Sequence, residues 1–353
     1  MKIAIFHTTL PEKHRKIGGV EVFCHRLANK FCFQGHDVVV YSLTPCPDDA
    51  IYQHVQLFKS YPFLVRIKLL RLFVLPLMLN FVKWKDHDIL HLHGDDWFFI
   101  NRKIPTVRTL HGSAKFEAKS ATSLKRKIIL SLVYPLEHIS ARLADRVAGL
   151  GTEAYKLYNA DFVSDIGIDT SLFRSTDKNA SPLILFVGTL SGRKRGSLVQ
   201  DVFINEIYPQ YPNSRLAMVC DLQPRDHVGI EWFKQPSDAE LADLYKRSWI
   251  FFYPSTYEGF GIPYIESLAS RTVIVCSENS GANYVLDNGK YGFIVEDTAL
   301  GKTVNELLSN PELKDEYMDK GEEYVEKFSW DNVCVAHRNM YDSAINKNMS
   351  KGK

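Results

Sequence analysis

The sequence predicts an α/β protein made of two tandem units, each a parallel sheet with helices on both faces. Three observations predict it. Short apolar β-type runs alternate with helical patterns through the first 150 residues, the arrangement of a parallel sheet with crossover helices. The same alternation restarts at Leu183 after a polar stretch. The length of 353 residues, 45% hydrophobic and 24% charged, suits two domains of ordinary size.

In chain order, residues 2–7 form the first strand. Their apolar run is short and leads directly into polar residues, unlike a signal peptide. Gly18 and Gly19 open a helix over 20–33 that Gly35 ends. Strands are expected over 36–42, 88–93, 106–111 and Arg146–Leu150, with a helix over 124–144 between the last two. The second half supplies strands over 183–187, Arg215–Cys220, 249–253 and 272–276. The expected division is 1–168, a linker over 169–182, 183–328, and a last segment over 329–353 whose polar end from Asn346 is expected to fray. In open α/β sheets, ligands sit at the carboxyl ends of the strands, so site residues are sought there.

Composition excludes several classes. A formal net charge of +2 gives no case for bulk nucleic-acid binding. The six cysteines are scattered without metal-ligand spacing, which fits a thiol-reducing, cytoplasmic setting better than a disulfide framework. No apolar run approaches the roughly 20 residues of a transmembrane helix.

The most informative segment is Glu258-Gly259-Phe260-Gly261-Ile262-Pro263-Tyr264-Ile265-Glu266. It joins a strand to a helix, and Pro263 suits the first helical turn, where its missing N–H costs nothing. The glycines then present backbone N–H groups and a positive helix end to a phosphate. Glu258 flanks that pocket from the loop and Glu266 faces it from the first turn. Carboxylates on both sides of a phosphate point to hydroxyl ligands, and together these describe a sugar nucleotide.

Other groups take supporting places. Arg193, Lys194 and Arg195 follow a strand and precede a helix, where cations oppose the helix dipole unless a polyanion binds; the alternative is a solvated basic loop. Gly18 and Gly19 read either as a phosphate cradle or as a tight turn, without a full dinucleotide glycine fingerprint. His111 ends a strand and faces a sugar hydroxyl or fills a structural place. His91 and His93 share one strand face and are read as structural. Asp95 and Asp96 are read as a cap or loop feature, and no metal is assigned. Asp221 ends the strand Arg215–Cys220; a carboxylate there can accept both N1–H and N2–H of guanine, and otherwise caps a loop. Residues 60–85 carry Arg66, Lys68, Arg71, Lys83 and Lys85 among apolar side chains. They are read as a core helix broken by Pro76, with contact to an anionic membrane surface as the second reading.

Taken together, these residues resemble the retaining GT-B glycosyltransferases of family 4. The Glu258-to-Glu266 segment matches the family's pair of glutamates separated by seven residues. Gly18-Gly19, His111, Gly167-Ile168-Asp169 with Phe173, and Phe328-Ser329-Trp330 fall in the family's order along nearly the whole chain. Thr189 stands where the family usually has Arg, Ile166 where it has Asn, and Tyr284 where a Glu is frequent. The resemblance implies two Rossmann-like domains facing across a cleft, acceptor side first and donor side second, with a final helix crossing back. It implies that Glu258 and the amides of Gly259, Phe260 and Gly261 hold the donor sugar or phosphate, and Glu266 the ribose. Lys194, with Arg193 or Arg195, would hold the diphosphate; His111 would sit by the reacting sugar and Gly19 by the diphosphate.

The expected reaction is transfer of a sugar from a nucleotide diphosphate sugar, GDP-mannose ahead of UDP-sugars, to a hydroxyl of a glycan, lipid-linked or protein-linked acceptor, with no cofactor required. A glycoside hydrolase would use the two glutamates as an acid/base pair. A nucleotide-sugar-binding protein without chemistry is the remaining alternative; an NAD oxidoreductase lacks its glycine fingerprint.

Overall fold

The computed structural model describes residues 1–12, 18–61, 63, 67–84, 86–101, 103–121, 123–174 and 177–351. They fall into two compact units, Met1–Gly167 with the chain from Trp330 onward, and Ile168–Ser329.

Unit 1 holds β1 (Lys2–Phe6), α1 (Gly19–Phe33), β2 (Asp37–Ser42), β3 (Gln53–Gln56), α2 (Lys68–Phe73), α3 (Leu75–Met78), β4 (Ile89–Leu92), β5 (Thr106–Leu110), α4 (Ala114–Ser120), α5 (Leu124–Leu143), β6 (Arg146–Leu150), α6 (Gly151–Tyr158) and β7 (Phe162–Ser164). Its seven strands run in the order β3-β2-β1-β4-β5-β6-β7, every pair parallel. Strands β4 and β5 are buried at every residue, as a sheet covered on both faces requires.

Unit 2 holds α7 (Thr170–Phe173), β8 (Leu183–Gly188), α8 (Gly196–Val202), β9 (Arg215–Cys220), β10 (Ile230–Phe233), α9 (Asp238–Arg247), β11 (Ile250–Tyr253), α10 (Ile262–Ala269), β12 (Val273–Cys276), α11 (Ser280–Val285), β13 (Phe293–Ile294), α12 (Leu300–Ser309) and α13 (Pro311–Tyr324). Its sheet is again parallel throughout, in the order β10-β9-β8-β11-β12-β13. Each sheet reverses its strand order once, at β1/β4 and at β8/β11. Such a switch point leaves a crevice at the carboxyl ends of the two strands.

The chain ends in α14 (Trp330–Lys351), part of unit 1. The polar tail expected to fray is helical as far as Lys351. Lys347 Nζ donates to the Asp145 carbonyl at 2.6 Å and Asn348 Nδ2 reaches Asp145 Oδ2 at 3.4 Å, so the tail is tied down. Within the stretch expected as a linker, Asp169 caps α7 through the Ser171 amide at 3.2 Å, and Lys178 Nζ donates to the carbonyls of Ser248 and Ser270, both at 2.7 Å. That stretch is built into unit 2.

The basic apolar segment, expected as a core helix broken by Pro76, breaks just before it: α2 ends at Phe73, Pro76 sits in the first turn of α3, and a 3-10 turn covers Leu79–Phe81. Leu72, Leu75 and Leu79 are buried while Leu69, Leu77 and Phe81 are exposed. Arg66 and Lys85 lie outside the described residues.

Candidate active site

In unit 2, β8 and β11 pair side by side, with Ile184 opposite Ile250. The loops that leave their carboxyl ends carry the basic triplet and the Glu258 segment. Glu258 is 6% exposed, and four donors converge on its Oε1: Lys194 Nζ at 2.5 Å, Arg193 Nη1 and Ser255 Oγ both at 2.7 Å, and Tyr253 Oη at 3.0 Å. Burial pushes this carboxyl up, but the charges of Lys194 and Arg193 outweigh it and hold the group below its ordinary value. Lys194 also donates to the Tyr253 hydroxyl and lies over that ring, 4.7 Å from its centroid. Burial lowers Lys194, while Glu258 opposes the shift.

The triplet divides its labour. Arg193 and Lys194 reach Glu258. Arg195 adopts a left-handed backbone, φ 56°, which turns its side chain away. Its guanidinium is used by the Pro254 carbonyl at 2.6 Å, Ser277 Oγ at 2.7 Å and Asp297 at 2.5 and 2.9 Å. Arg195 therefore braces three loops around the site. Asp221 Oδ1 accepts the Leu190 amide at 3.2 Å, so this carboxylate caps the loop after β8, the second role weighed for it.

The turn after Glu258 depends on Gly261, the N-cap of α10, at φ +94°. A Cβ there would meet the Tyr264 ring at 2.4 Å, so both backbone and space demand glycine. Among the described residues, the amides of Gly259, Phe260 and Gly261 have no protein acceptor. The Phe260 ring is buried against Tyr284 and Phe328, with centroids 5.9 and 5.8 Å away. Phe260 thus offers its backbone alone, and Tyr284, at the position where the family often has Glu, supports that ring. The Gly281 amide donates to the Glu258 carbonyl at 2.9 Å, and Asn279 Nδ2 to the Ser255 carbonyl at 2.9 Å, which pins the loop to α11. Glu266 is the fifth residue of α10 and so lies in its second turn, not the first as expected. It is half-buried near Tyr245, whose hydroxyl is pushed up by burial and then by the Glu266 charge.

In unit 1, a cavity of about 250 Å³ opens at the ends of β1, β4 and β5; its lining includes His7, His93, Arg108, His111 and Glu137. His111 Nε2 and His93 Nδ1 are 2.8 Å apart, and the Phe23 ring meets His111 edge-on at 5.2 Å. Burial, followed by the charges of His7 and Arg108, holds His111 well below the ordinary histidine value, so it is neutral near pH 7. His91 is structural, bonded to Tyr341 Oη and Thr109 Oγ1, both at 2.7 Å. Asp96 pairs with Arg108, and Asp95 lies 3.5 Å from Arg71 Nε, so each takes a cation of its own. Among the described residues no group of three or more His, Cys, Asp or Glu is placed to hold a metal ion. Gly18 is the exposed N-cap of α1; its amide donates to Glu21 Oε2 at 3.1 Å, and the space beside the exposed Gly19 is open. The polar loop before them, residues 13–17, lies outside the described residues.

Sequence reasoning missed Tyr253 and Ser255, though both stand within five residues of Glu258. It also missed Asp297 and Glu137, which sequence spacing does not connect to the site. Glu137 accepts the Ala114 amide at 3.2 Å and the Tyr158 hydroxyl, and so anchors the chain just beyond His111.

Known proteins share this architecture. A family model described as Glycosyl transferases group 1 matches residues 168–324, and one described as Glycosyltransferase Family 4 matches residues 17–150. Phosphatidyl-myo-inositol mannosyltransferase of Mycobacterium tuberculosis is 24% identical over 294 residues, covering 74% of this chain and 76% of the relative. The O-antigen chain mannosyltransferase RfbU of Salmonella typhimurium is 32% identical over 123 residues, 35% of this chain and 33% of its own. The solved sucrose-phosphate synthase of Thermosynechococcus elongatus superposes with a TM-score of 0.69 at 17% identity, over 97% of this chain and 98% of that one, a likeness of fold. Matched by family models in both units, the chain belongs to the family 4 glycosyltransferases of the GT-B fold.

Proposed function

We propose that the chain moves mannose from GDP-mannose to a hydroxyl of a glycan, lipid-linked or protein-linked acceptor, with the anomeric configuration retained. The observation that carries the donor reading is the convergence on Glu258. With Oε1 saturated by four donors, Oε2 is left to accept a sugar hydroxyl. An ammonium has three donors. Two of those on Lys194 are used by Glu258 and Tyr253, and the third serves the diphosphate. The amides of Gly259, Phe260 and Gly261 and the positive end of α10 add dipoles for the same negative charge.

Departure of the diphosphate leaves an oxocarbenium-like sugar. Lys194 and Arg193 stabilise the charge growing on the leaving oxygen, and the ionised Glu258 keeps both cations in place. In a front-face route the departing phosphate oxygen takes the acceptor hydroxyl's proton, the new C–O bond forms on the face the diphosphate leaves, and retention follows. Glu266 is assigned to the ribose hydroxyls, Gly18 and Gly19 to the donor diphosphate, and neutral His111 to a hydroxyl of the transferring sugar. Mannose is favoured because two relatives carry mannosyltransferase in their names. Asp221 is assigned to guanine through the lone pairs that the Leu190 amide does not use.

The test is release of GDP from GDP-mannose across a panel of glycan and lipid-linked acceptors. Wild-type protein turns over, and Lys194→Ala is slower by about 10²–10³-fold. Turnover near the wild-type rate by the folded variant sinks the assignment. Sugar release from a glycoside without any nucleotide would favour a hydrolase instead.

A further inference from the structure

Tyr253, the last residue of β11, is wholly buried, yet its hydroxyl reaches Glu258. Its ring is fixed from three directions. Phe251 stacks on it at 4.9 Å and 28°, Tyr264 meets it edge-on at 5.5 Å, and Phe186 lies 6.2 Å away. Tyr264 is itself held by Asn279, whose Nδ2 donates to its hydroxyl at 2.9 Å, and it is the ring that crowds Gly261. A packed column of rings therefore joins the turn after Glu258 to Tyr253. Phenylalanine would fit that column equally well, so packing alone does not call for the hydroxyl.

A phenol has one proton to give and lone pairs with which to accept. Tyr253 gives its proton to Glu258 Oε1 at 3.0 Å and accepts from Lys194 Nζ. Burial, then the Glu258 charge, pushes this hydroxyl well above its ordinary value, so it stays protonated and keeps both roles. The ammonium of Lys194 is tetrahedral. With one N–H directed at Tyr253 and one at Glu258, the direction of the third is set. We infer that Tyr253 is a positioning residue for sugar transfer: through Lys194 it aims one ammonium proton at the leaving diphosphate oxygen. The inference rests on the proposed donor. The charged and titratable groups facing Lys194 are Glu258, Arg193 and Tyr253. Burial lowers the lysine most, Glu258 opposes that shift and Arg193 adds to it. A hydroxyl that accepts from the ammonium favours its charged form, so losing that hydroxyl lowers the lysine further.

The experiment compares wild type with Tyr253→Phe, which keeps the ring and its packing. One readout is the titration of the Lys194 amine in the free protein by nitrogen NMR, identified as the resonance missing from Lys194→Ala. The other is the pH profile of GDP release from GDP-mannose. In Tyr253→Phe the lysine should lose its proton at lower pH than in wild type. The kcat should fall on the order of tenfold with a smaller change in KM, and its alkaline limb should move to lower pH with the lysine. An unchanged lysine titration overturns the inference. So does a wild-type kcat with an unmoved alkaline limb in the variant. Wild type inert to GDP-mannose overturns the proposed donor instead, and the lysine titration, which needs no donor, then decides whether Tyr253 governs Lys194.

Discussion

Glu258 is structural in its contacts and, on the proposed reading, functional as well. A carboxylate this buried carries a desolvation cost of several kcal/mol unless it is paired and hydrogen-bonded. Two cations and two hydroxyls on a single oxygen offset that cost, and the second oxygen takes none of these four donors. Glu137, at the unit 1 cavity, keeps the opposite balance. Burial is the largest influence on it and outweighs the Tyr158 and Ala114 hydrogen bonds, raising its carboxyl from 4.5 to about 7. The folded chain thus binds this proton more tightly than the unfolded chain does. Its contribution to stability is full below pH 4.5 and is lost as pH rises through about 7. In Glu137→Gln, melting temperature should fall less between pH 4.5 and 7 than in wild type; parallel profiles would remove Glu137 as the cause. The two carboxylates also differ in legibility. Glu258 stands out because its turn, helix start and partner Glu266 are contiguous, whereas Glu137 meets Ala114 from 23 residues away.

At the scale of elements, the interior strands were legible and the edges were not. Strands β1, β4, β8, β9, β11 and β12 are near-continuous apolar runs, as burial on both faces demands. The strands the sequence did not reveal, β3, β7, β10 and β13, are the two edges of each sheet. They have two to four residues, and Gln53–Gln56 is exposed at every other position, so no apolar run marks them. The start of α14 carries a different constraint. A Cβ on Gly167 would lie 2.3 Å from the buried Trp330 ring, which belongs to the core cluster of unit 1. Gly167→Ala should therefore destabilise the protein by about 1–3 kcal/mol through overpacking. Urea unfolding with an unchanged midpoint would show that Trp330 yields instead.

Across the whole molecule, each parallel sheet places its loops where its strand order reverses, and each unit gathers a different chemistry there. Unit 2 collects cations, backbone amides without a protein acceptor among the described residues, and the carboxylate of Glu258, the set that the proposed donor calls for. Unit 1 collects neutral histidines and a cavity. Family order along the chain revealed that division, because its motifs are local. The braces that make it work, such as Arg195 to Asp297 across 102 residues, were not legible because only folding brings them together. On the proposed reading, Glu258 clamps the sugar while its cations hold the diphosphate. Calorimetric titration of GDP and GDP-mannose into wild type and folded Glu258→Gln tests it most directly. GDP-mannose should bind wild type more tightly than GDP, and the variant should lose this advantage while its GDP affinity is kept or improved. Absence of GDP-mannose binding to wild type, or an equal loss of both ligands in the variant, would contradict it.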